Sequence, residues 1–284
     1  MNNVSKILVL NLFLASTSLP AAFVCVGDFE TAGTLGSSVS AQNWSGDAAA
    51  LTSTTIAQAP DDPNNQVLKT TCSTSAKGIY LNLGESGTIA SGATGTVFFR
   101  AYYSASTSYS LGFGARYSQD GDRTLQAQIS TSSVAASKWQ VYSSSTGAIG
   151  ATTPSSLLTE SWYNIWIVIN PDGVANTWQA YYALDGGAQT IFAAGGASTF
   201  SFKKGALYDR PIDQFSIVFT GVSGVAVGDA SPVYFDDIYV DTSAMNLATP
   251  VLVPEANTLF WCGGLGVMVA GIVSRRFFQK RRGR

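Results

Sequence analysis

The chain has 284 residues, 46% of them hydrophobic and only 12% charged, with a formal net charge of −2. Its charge is divided unevenly: six of the sixteen basic residues lie in the last ten positions, and residues 23–253 carry 17 acidic against 9 basic side chains, a net −8. Such a body lacks the basic face that nucleic acid or an anionic membrane surface demands. With no histidine anywhere, a Ser-His-Asp triad, a His-ligated metal and a histidine base are all excluded.

The N-terminus sets Lys6 before a short apolar run, Ile7 to Ala15, followed by small residues and Pro20. This is the pattern of a secretory signal peptide, too short to span a bilayer, and residues 1–22 are assigned to it. Cleavage fits after Ser18 or Ala22. Export would place Cys25 and Cys72 in an oxidising compartment, but spacing does not say whether they pair.

From Phe23 to residue 245 the pattern is β throughout. Runs of five to nine apolar and aromatic residues alternate with clusters of Gly, Ser, Asn, Asp and Pro. Strands are expected at Gln66–Cys72, Gly78–Leu83, Thr96–Tyr103, Tyr109–Tyr117, Thr124–Ser130, Lys138–Tyr142, Trp162–Ile169, Thr177–Leu184, Gln214–Thr220 and Val233–Val240. Turns are expected at Asp61 to Asn65, Gln119 to Asp122, Asn170 to Gly173 and Asp185 to Gly187. Phe215, Ile217 and Phe219 alternate with polar residues, as on a half-buried strand. Trp162–Ile169 is apolar on both faces and belongs in the middle of a sheet. No window between 30 and 245 has a helical period. Ten or more short strands imply an all-β, antiparallel β-sandwich.

Residues 246–284 form a linker and tail. Pro254 and Glu255 precede an uncharged run, Leu259 to Val273, and then Arg275, Arg276 and four more basic residues. Counted from Ala256 through Ser274, it is close to the roughly 17–25 residues that cross a bilayer as one helix, and the arginines would stay on the cytoplasmic side. The order of motif, span and arginines resembles the PEP-CTERM sorting signal, on the strength of Pro254, Glu255, the glycine-rich span and Arg275-Arg276. Ala256 stands where that family usually has a second proline. The resemblance implies an exosortase as partner, anchoring in the inner membrane through the C-terminal helix, C-terminal processing, and delivery to the cell surface or an extracellular polysaccharide matrix.

Within the body, Gly27-Asp28-Phe29-Glu30 near the start and Phe235-Asp236-Asp237-Ile238 near the end resemble the concanavalin-like, laminin-G-like jelly rolls of bacterial surface proteins. Trp162-Tyr163-Asn164-Ile165-Trp166 has the same look. The resemblance implies a jelly roll whose first and last strands lie side by side. Asp28, Glu30, Asp236 and Asp237 would then converge, and hard oxygen ligands suit a structural calcium ion. Asp120-Gly121-Asp122 reads as a hairpin turn, lacking the distal Glu of a calcium loop. Trp44, Trp139, Trp162, Trp166 and Trp178 suit a core better than a sugar-stacking face. In each of Tyr102-Tyr103 and Tyr181-Tyr182, the two rings must point to opposite faces.

The body holds only three glutamates, Glu30, Glu85 and Glu160, far apart in sequence, and nothing like the Glu-x-Asp-x-x-Glu strand of concanavalin-like glucanases. The sequence therefore leads to an exported, non-catalytic sandwich with no required cofactor. A carbohydrate-binding module and a polysaccharide-cleaving enzyme are the alternatives.

Overall fold

The structure, a computed structural model, describes residues 23–30, 34–39, 43–71, 77–104, 110–119, 126–131, 139–143, 147–203, 210–220 and 232–250. The leader, Cys72, Pro254, Glu255, Arg275, Arg276 and the expected membrane helix lie outside the described residues. Among the described residues no helix is long and apolar enough to cross a membrane.

The described elements run β1 (Val24–Gly27), β2 (Trp44–Gly46), α1 (Ala48–Thr52), β3 (Thr54–Gln58), β4 (Gln66–Thr70), β5 (Lys77–Asn82), α2 (Gly84–Gly87), β6 (Gly95–Tyr103), β7 (Ser110–Arg116) and β8 (Ala127–Thr131). They continue with β9 (Trp139–Ser143), β10 (Gly147–Thr153), β11 (Ser161–Ile169), β12 (Thr177–Leu184), β13 (Thr190–Ile191), β14 (Ala193–Ala194), β15 (Phe200–Ser201), β16 (Gln214–Thr220) and β17 (Val233–Asp241). Each of the ten expected strands is present within a few residues of its expected bounds. The two helices are single turns, too short for a sequence period. Asp47 caps the first, accepting the Ala49 and Ala50 N–H groups.

Two antiparallel sheets form a sandwich. The first has the order β13-β12-β11-β6-β17-β4-β3, with β1 added to β17 and β15 to β12. The second has the order β14-β10-β9-β8-β7-β16-β5-β2. The first and last strands do pair, Val24 opposite Val240 and Cys25 opposite Tyr239. β11 lies inside its sheet, between β12 and β6, as its two apolar faces require. Asn170 and Asp172 adopt left-handed backbone (φ 48 and 55) in the turn that returns β11 to β12, a conformation that short amide and carboxylate side chains tolerate.

Strand alternation builds the core. Val97, Phe99, Ala101 and Tyr103 of β6 face inward, with Tyr163, Ile165 and Ile167 of β11 and Phe235 and Ile238 of β17. The second sheet answers with Ile79, Leu81, Phe113, Ile129, Trp139, Phe215 and Ile217. Phe99 bridges the layers, its ring 5.4 Å from Phe113 and 4.9 Å from Phe215. Each such buried side chain contributes about 1.5–3 kcal/mol of transfer free energy. Cys25 is a half-buried free thiol.

Candidate functional site

The same alternation gives each sheet an outer face, and the two faces differ. On the first sheet the register aligns three rows. Trp162, Tyr102 and Tyr234 form one; Asn164, Arg100 and Asp236 the next; Tyr181, Trp166, Phe98 and Tyr239 the third. A polar row thus lies between two aromatic ones.

The sequence-predicted carboxylates meet at this polar row. A bulge in β17 between Asp236 and Tyr239 puts Asp237 into left-handed backbone (φ 53). Asp237 Oδ2 then lies 3.4 Å from an Arg100 guanidinium nitrogen, whose other arm is 3.4 Å from the exposed Asp185. The guanidinium also sits 4.7 Å from the Trp162 ring centroid. Asp236 Oδ2 accepts from Asn65 Nδ2 at 3.1 Å, and its Oδ1 accepts the Asp237 N–H at 2.9 Å. Burial, with the neighbouring Asp237 charge, pushes the Asp236 carboxyl well above the usual carboxylate range. Burial also raises Asp237, against the pull of Arg100.

Asp28 adds to the negative field at Asp237, next to Asp236. Glu30 turns away and accepts the Gln66 N–H at 2.8 Å. Among the described residues no three His, Cys, Asp or Glu side chains stand together as metal ligands. The cation beside Asp237 is Arg100.

This face is closed over by the chain itself. Trp162 Nε1 donates to Asp61 at 2.9 Å, from the turn joining β3 to β4. Trp166 Nε1 donates to the Ala248 carbonyl at 3.0 Å, and Thr96 Oγ1 donates to the Ala244 carbonyl at 2.9 Å, so residues 244–248 lie across the face. Phe23 packs on Phe98 and Tyr239. Trp162 and Trp166 are consequently 4% and 1% exposed, while Trp44, Trp139 and Trp178 belong to the intersheet core. Tyr102 and Tyr181 face outward and Tyr103 and Tyr182 inward, as adjacent strand residues must.

The outer face of the second sheet is of another kind, and sequence reasoning passed over it. Tyr80 and Asn82 of β5, Gln214 and Ser216 of β16, Arg116 of β7, Gln128 and Ser130 of β8 and Gln140 and Tyr142 of β9 alternate with core residues and so point outward. Glycines make room for them. A Cβ at Gly78 would fall 2.8 Å from the Tyr80 hydroxyl, and one at Gly112 would fall 2.6 Å from Gln128 Nε2. The long side chains therefore lie along the sheet over residues that have no side chain. Gly114 (φ +150) has a second reason to be glycine, since a Cβ there would collide with the Ala127 carbonyl oxygen.

Two cations stack on tyrosines at this face. The Arg116 guanidinium is 4.0 Å from the Tyr80 ring centroid and donates to the Tyr117 and Ser118 carbonyls. Lys203 Nζ is 4.7 Å from the Tyr142 ring centroid and donates to Gln128 Oε1 at 3.1 Å. Burial pulls the Lys203 ammonium below its ordinary value. Ser130 Oγ and Gln214 Oε1 are buried with no partner among the described residues. Asp213, at the start of β16, is taken up by the Ser118 N–H and hydroxyl at 2.7 and 2.6 Å. The face thus gathers hydroxyl, amide and cationic groups, most of them nearly buried: Ser130 is 0%, Arg116 2% and Gln128 and Gln214 7% exposed. A separate cleft of about 300 Å³ at the end of β10, lined by Thr152, Pro154, Ser155, Leu158, Tyr163 and Tyr182 among others, carries no charge.

No protein-family model matches the chain, and no curated protein sequence does. Solved structures share its fold. The carbohydrate esterase of Shiga toxin-encoding bacteriophage phi24B is 14% identical, covering 78% of this chain and 100% of its own, with a TM-score of 0.47. The catalytic domain of a glycoside hydrolase family 131 protein from Coprinopsis cinerea is 11% identical over 78% of this chain and 85% of its own, TM-score 0.44. The alginate lyase vAL-1 from Chlorella virus is 11% identical over 66% of this chain and 88% of its own, TM-score 0.37. At these identities the likeness is one of fold, an antiparallel β-sandwich of jelly-roll type. The sequence expectation of a non-catalytic body is withdrawn, because these neighbours are mostly carbohydrate-active enzymes.

Proposed function

We propose that this chain is an exported protein that recognises carbohydrate on the outer face of its second sheet. One observation supports the reading: Gln128, Gln214, Ser130 and Arg116 share one sheet face with Tyr80, Tyr142 and Lys203, and Ser130 Oγ and Gln214 Oε1 there are buried without a partner among the described residues. Buried polar atoms without protein partners cost free energy unless water or a ligand satisfies them. Sugar hydroxyls are donors and acceptors at once and fit such a set. The test is a glycan array with the purified full-length chain. Binding is expected, weakened about tenfold or more by Gln128→Ala without loss of fold, as for a ligand hydrogen bond removed from a desolvated site. Absence of binding to every glycan, or an unaffected Gln128→Ala variant, refutes the reading. Mass spectrometry of glycans incubated with the chain reads out any cleavage in the same experiment.

The delivery of this body is proposed to follow the tail. Pro254 and Glu255 would be the recognition motif of an exosortase, the run after them the inner-membrane helix, and Arg275 and Arg276 its cytoplasmic stop. The support is the order and spacing of these parts, together with a leader at the other end of the chain. The processed protein would reach the cell envelope or the extracellular polysaccharide.

A further inference from the structure

We infer that the cleft at the end of β10 is a binding site for a neutral sugar of one or two rings, held by the apolar face of a ring and by its hydroxyls. The cleft lies apart from the outer face proposed above, and its case stands on its own geometry. Thr152 and Thr153 at the end of β10, Leu158 from the connection to β11, and Tyr163, Tyr182 and Leu184 from the first sheet line it.

The register of β11 and β12 explains why this place is open. Tyr163 stands opposite Leu184, and Tyr182, two residues back, shares their face, the inner face of the first sheet. Farther along the same two strands the inner residues Ile165, Ile167 and Ala180 are fully buried. Tyr182 and Leu184 are only half-buried. The second sheet stops covering them where β10 ends at Thr153. Leu158 beside them is 48% exposed, and Thr152, Ser155 and Ser156 are exposed as well.

The walls are of two kinds. Tyr182, Leu184 and Leu158 supply apolar surface, and the Tyr182 ring is braced by Phe192 at 5.1 Å and Tyr163 at 6.4 Å between centroids. The rest are hydroxyls. Thr152 Oγ1 donates to the Ala193 carbonyl at 3.0 Å and so turns acceptor lone pairs to the cleft side. Tyr163 is 1% exposed, and its hydroxyl oxygen accepts the Leu158 N–H at 2.7 Å. Burial raises this phenol above its ordinary value, so it keeps its proton at neutral pH, and no acceptor among the described residues takes that proton.

This lining selects the ligand. No charged side chain belongs to it, so a carboxylate or an ammonium would give up water without a counter-charge. A plain hydrocarbon would take water from the hydroxyls and return nothing. A pyranose has both surfaces required: C–H faces that lie on an aromatic ring, and a rim of hydroxyl and ether oxygens that accept as well as donate. The volume, about 300 Å³, is at the lower end for ligand clefts and suits a ring or two rather than a length of polymer.

Saturation-transfer NMR on the purified full-length chain tests the site. Glucose, galactose, mannose, N-acetylglucosamine and cellobiose are the neutral probes, with glucuronate and galacturonate as charged controls. A neutral sugar should receive saturation, strongest on the C–H protons of one ring face, and the uronates little. Tyr182→Ala should lower the affinity about tenfold. Leu158→Ala, at an exposed position, should lower it several-fold without disturbing the fold. Should Tyr182→Ala fail to fold, Leu158→Ala decides alone. Uronates bound as well as the neutral sugars, or no neutral sugar bound, overturns the inference. So does neutral-sugar binding that both variants leave unchanged; if Gln128→Ala removes that binding, the sugar sits on the outer face and the earlier reading stands. An inert panel together with an empty glycan array overturns both.

Discussion

Replacing Arg100 by Met isolates the electrostatics of the first sheet's outer face. Methionine keeps most of the aliphatic packing beside Trp162 and removes the guanidinium. The side chain is 11% exposed and its partner Asp237 17%, so the pair is largely desolvated, whereas Asp185 at 60% is screened by water and contributes little. Breaking a buried pair from one side costs about 3–5 kcal/mol, because the remaining charge is left uncompensated. Here Asp236 and Asp237 would both be left so, and about 3 kcal/mol is expected at neutral pH. Both carboxyls already titrate above their unfolded values, and losing Arg100 moves Asp237 further up. An acid whose folded-state pKa is raised favours the fold when protonated. Its contribution is complete below the unfolded value and is lost as pH rises through the folded one. The Arg100→Met penalty should therefore shrink towards about pH 4 and grow towards neutrality. Adding Asp237→Asn to Arg100→Met should recover part of the loss at neutral pH. Urea unfolding of the full-length chain, followed by tryptophan fluorescence at both pH values, measures each of these. A neutral-pH cost below about 1 kcal/mol, the range of a surface pair, or a cost equal at the two pH values, would refute the reasoning.

Trp166→Ala should cost about 3–5 kcal/mol, since its ring packs 5.2 Å from Phe98 and its Nε1 holds the Ala248 carbonyl; a near-zero change in urea midpoint would show the ring to be dispensable. Gly114→Ala should destabilise by about 1–3 kcal/mol through backbone strain against Ala127 and should also weaken glycan binding; a variant as stable as the parent contradicts the register given for β7 and β8. The surface-localised protein should lack the residues beyond Pro254-Glu255, and Glu255→Ala should leave the full-length form in the inner membrane; mass spectrometry that finds an intact Arg284 at the surface reduces the tail to an ordinary anchor.

Much of the architecture could be read from local pattern. Strands such as Thr177–Leu184 and Gln214–Thr220 declare themselves because inward apolar residues alternate with polar ones. The strands not foreseen are short or poorly patterned: Gly147–Thr153 is Gly-Ala-Ile-Gly-Ala-Thr-Thr, and Val24–Gly27 is four residues long. Their extended form comes from the neighbours they pair with, β9 and β14 for one and β17 for the other. The pairing of the first and last described strands, which brings Asp28 towards Asp237, followed from the terminal motifs. The partner of Asp237 did not, because Arg100 lies 137 residues away and only the β6–β17 register brings it there. The second face was hidden for a similar reason. Gln128, Ser130, Gln214 and Ser216 look, one strand at a time, like ordinary solvent-facing alternates. Their concentration depends on β8, β7, β16 and β5 being neighbours, an order that no local pattern encodes.

The two outer faces divide the tasks of the molecule. On the first, the arginine meets the protein's own aspartates, the tryptophans donate to Asp61 and Ala248, and Phe23 packs on Phe98, while Arg100 Nε and Asn164 Oδ1 stay buried without a partner among the described residues. A ligand there would have to displace covalently continuous segments. On the second, Arg116 and Lys203 stack on tyrosine rings, and Ser130 and Gln214 keep buried atoms without partners among the described residues. The segment held by Trp166 through Ala248 leads directly to the end of the described chain at Pro250, and it lies on the first face. The last described residues thus lie on the side of the sandwich opposite the face that carries Gln128, Arg116 and Lys203.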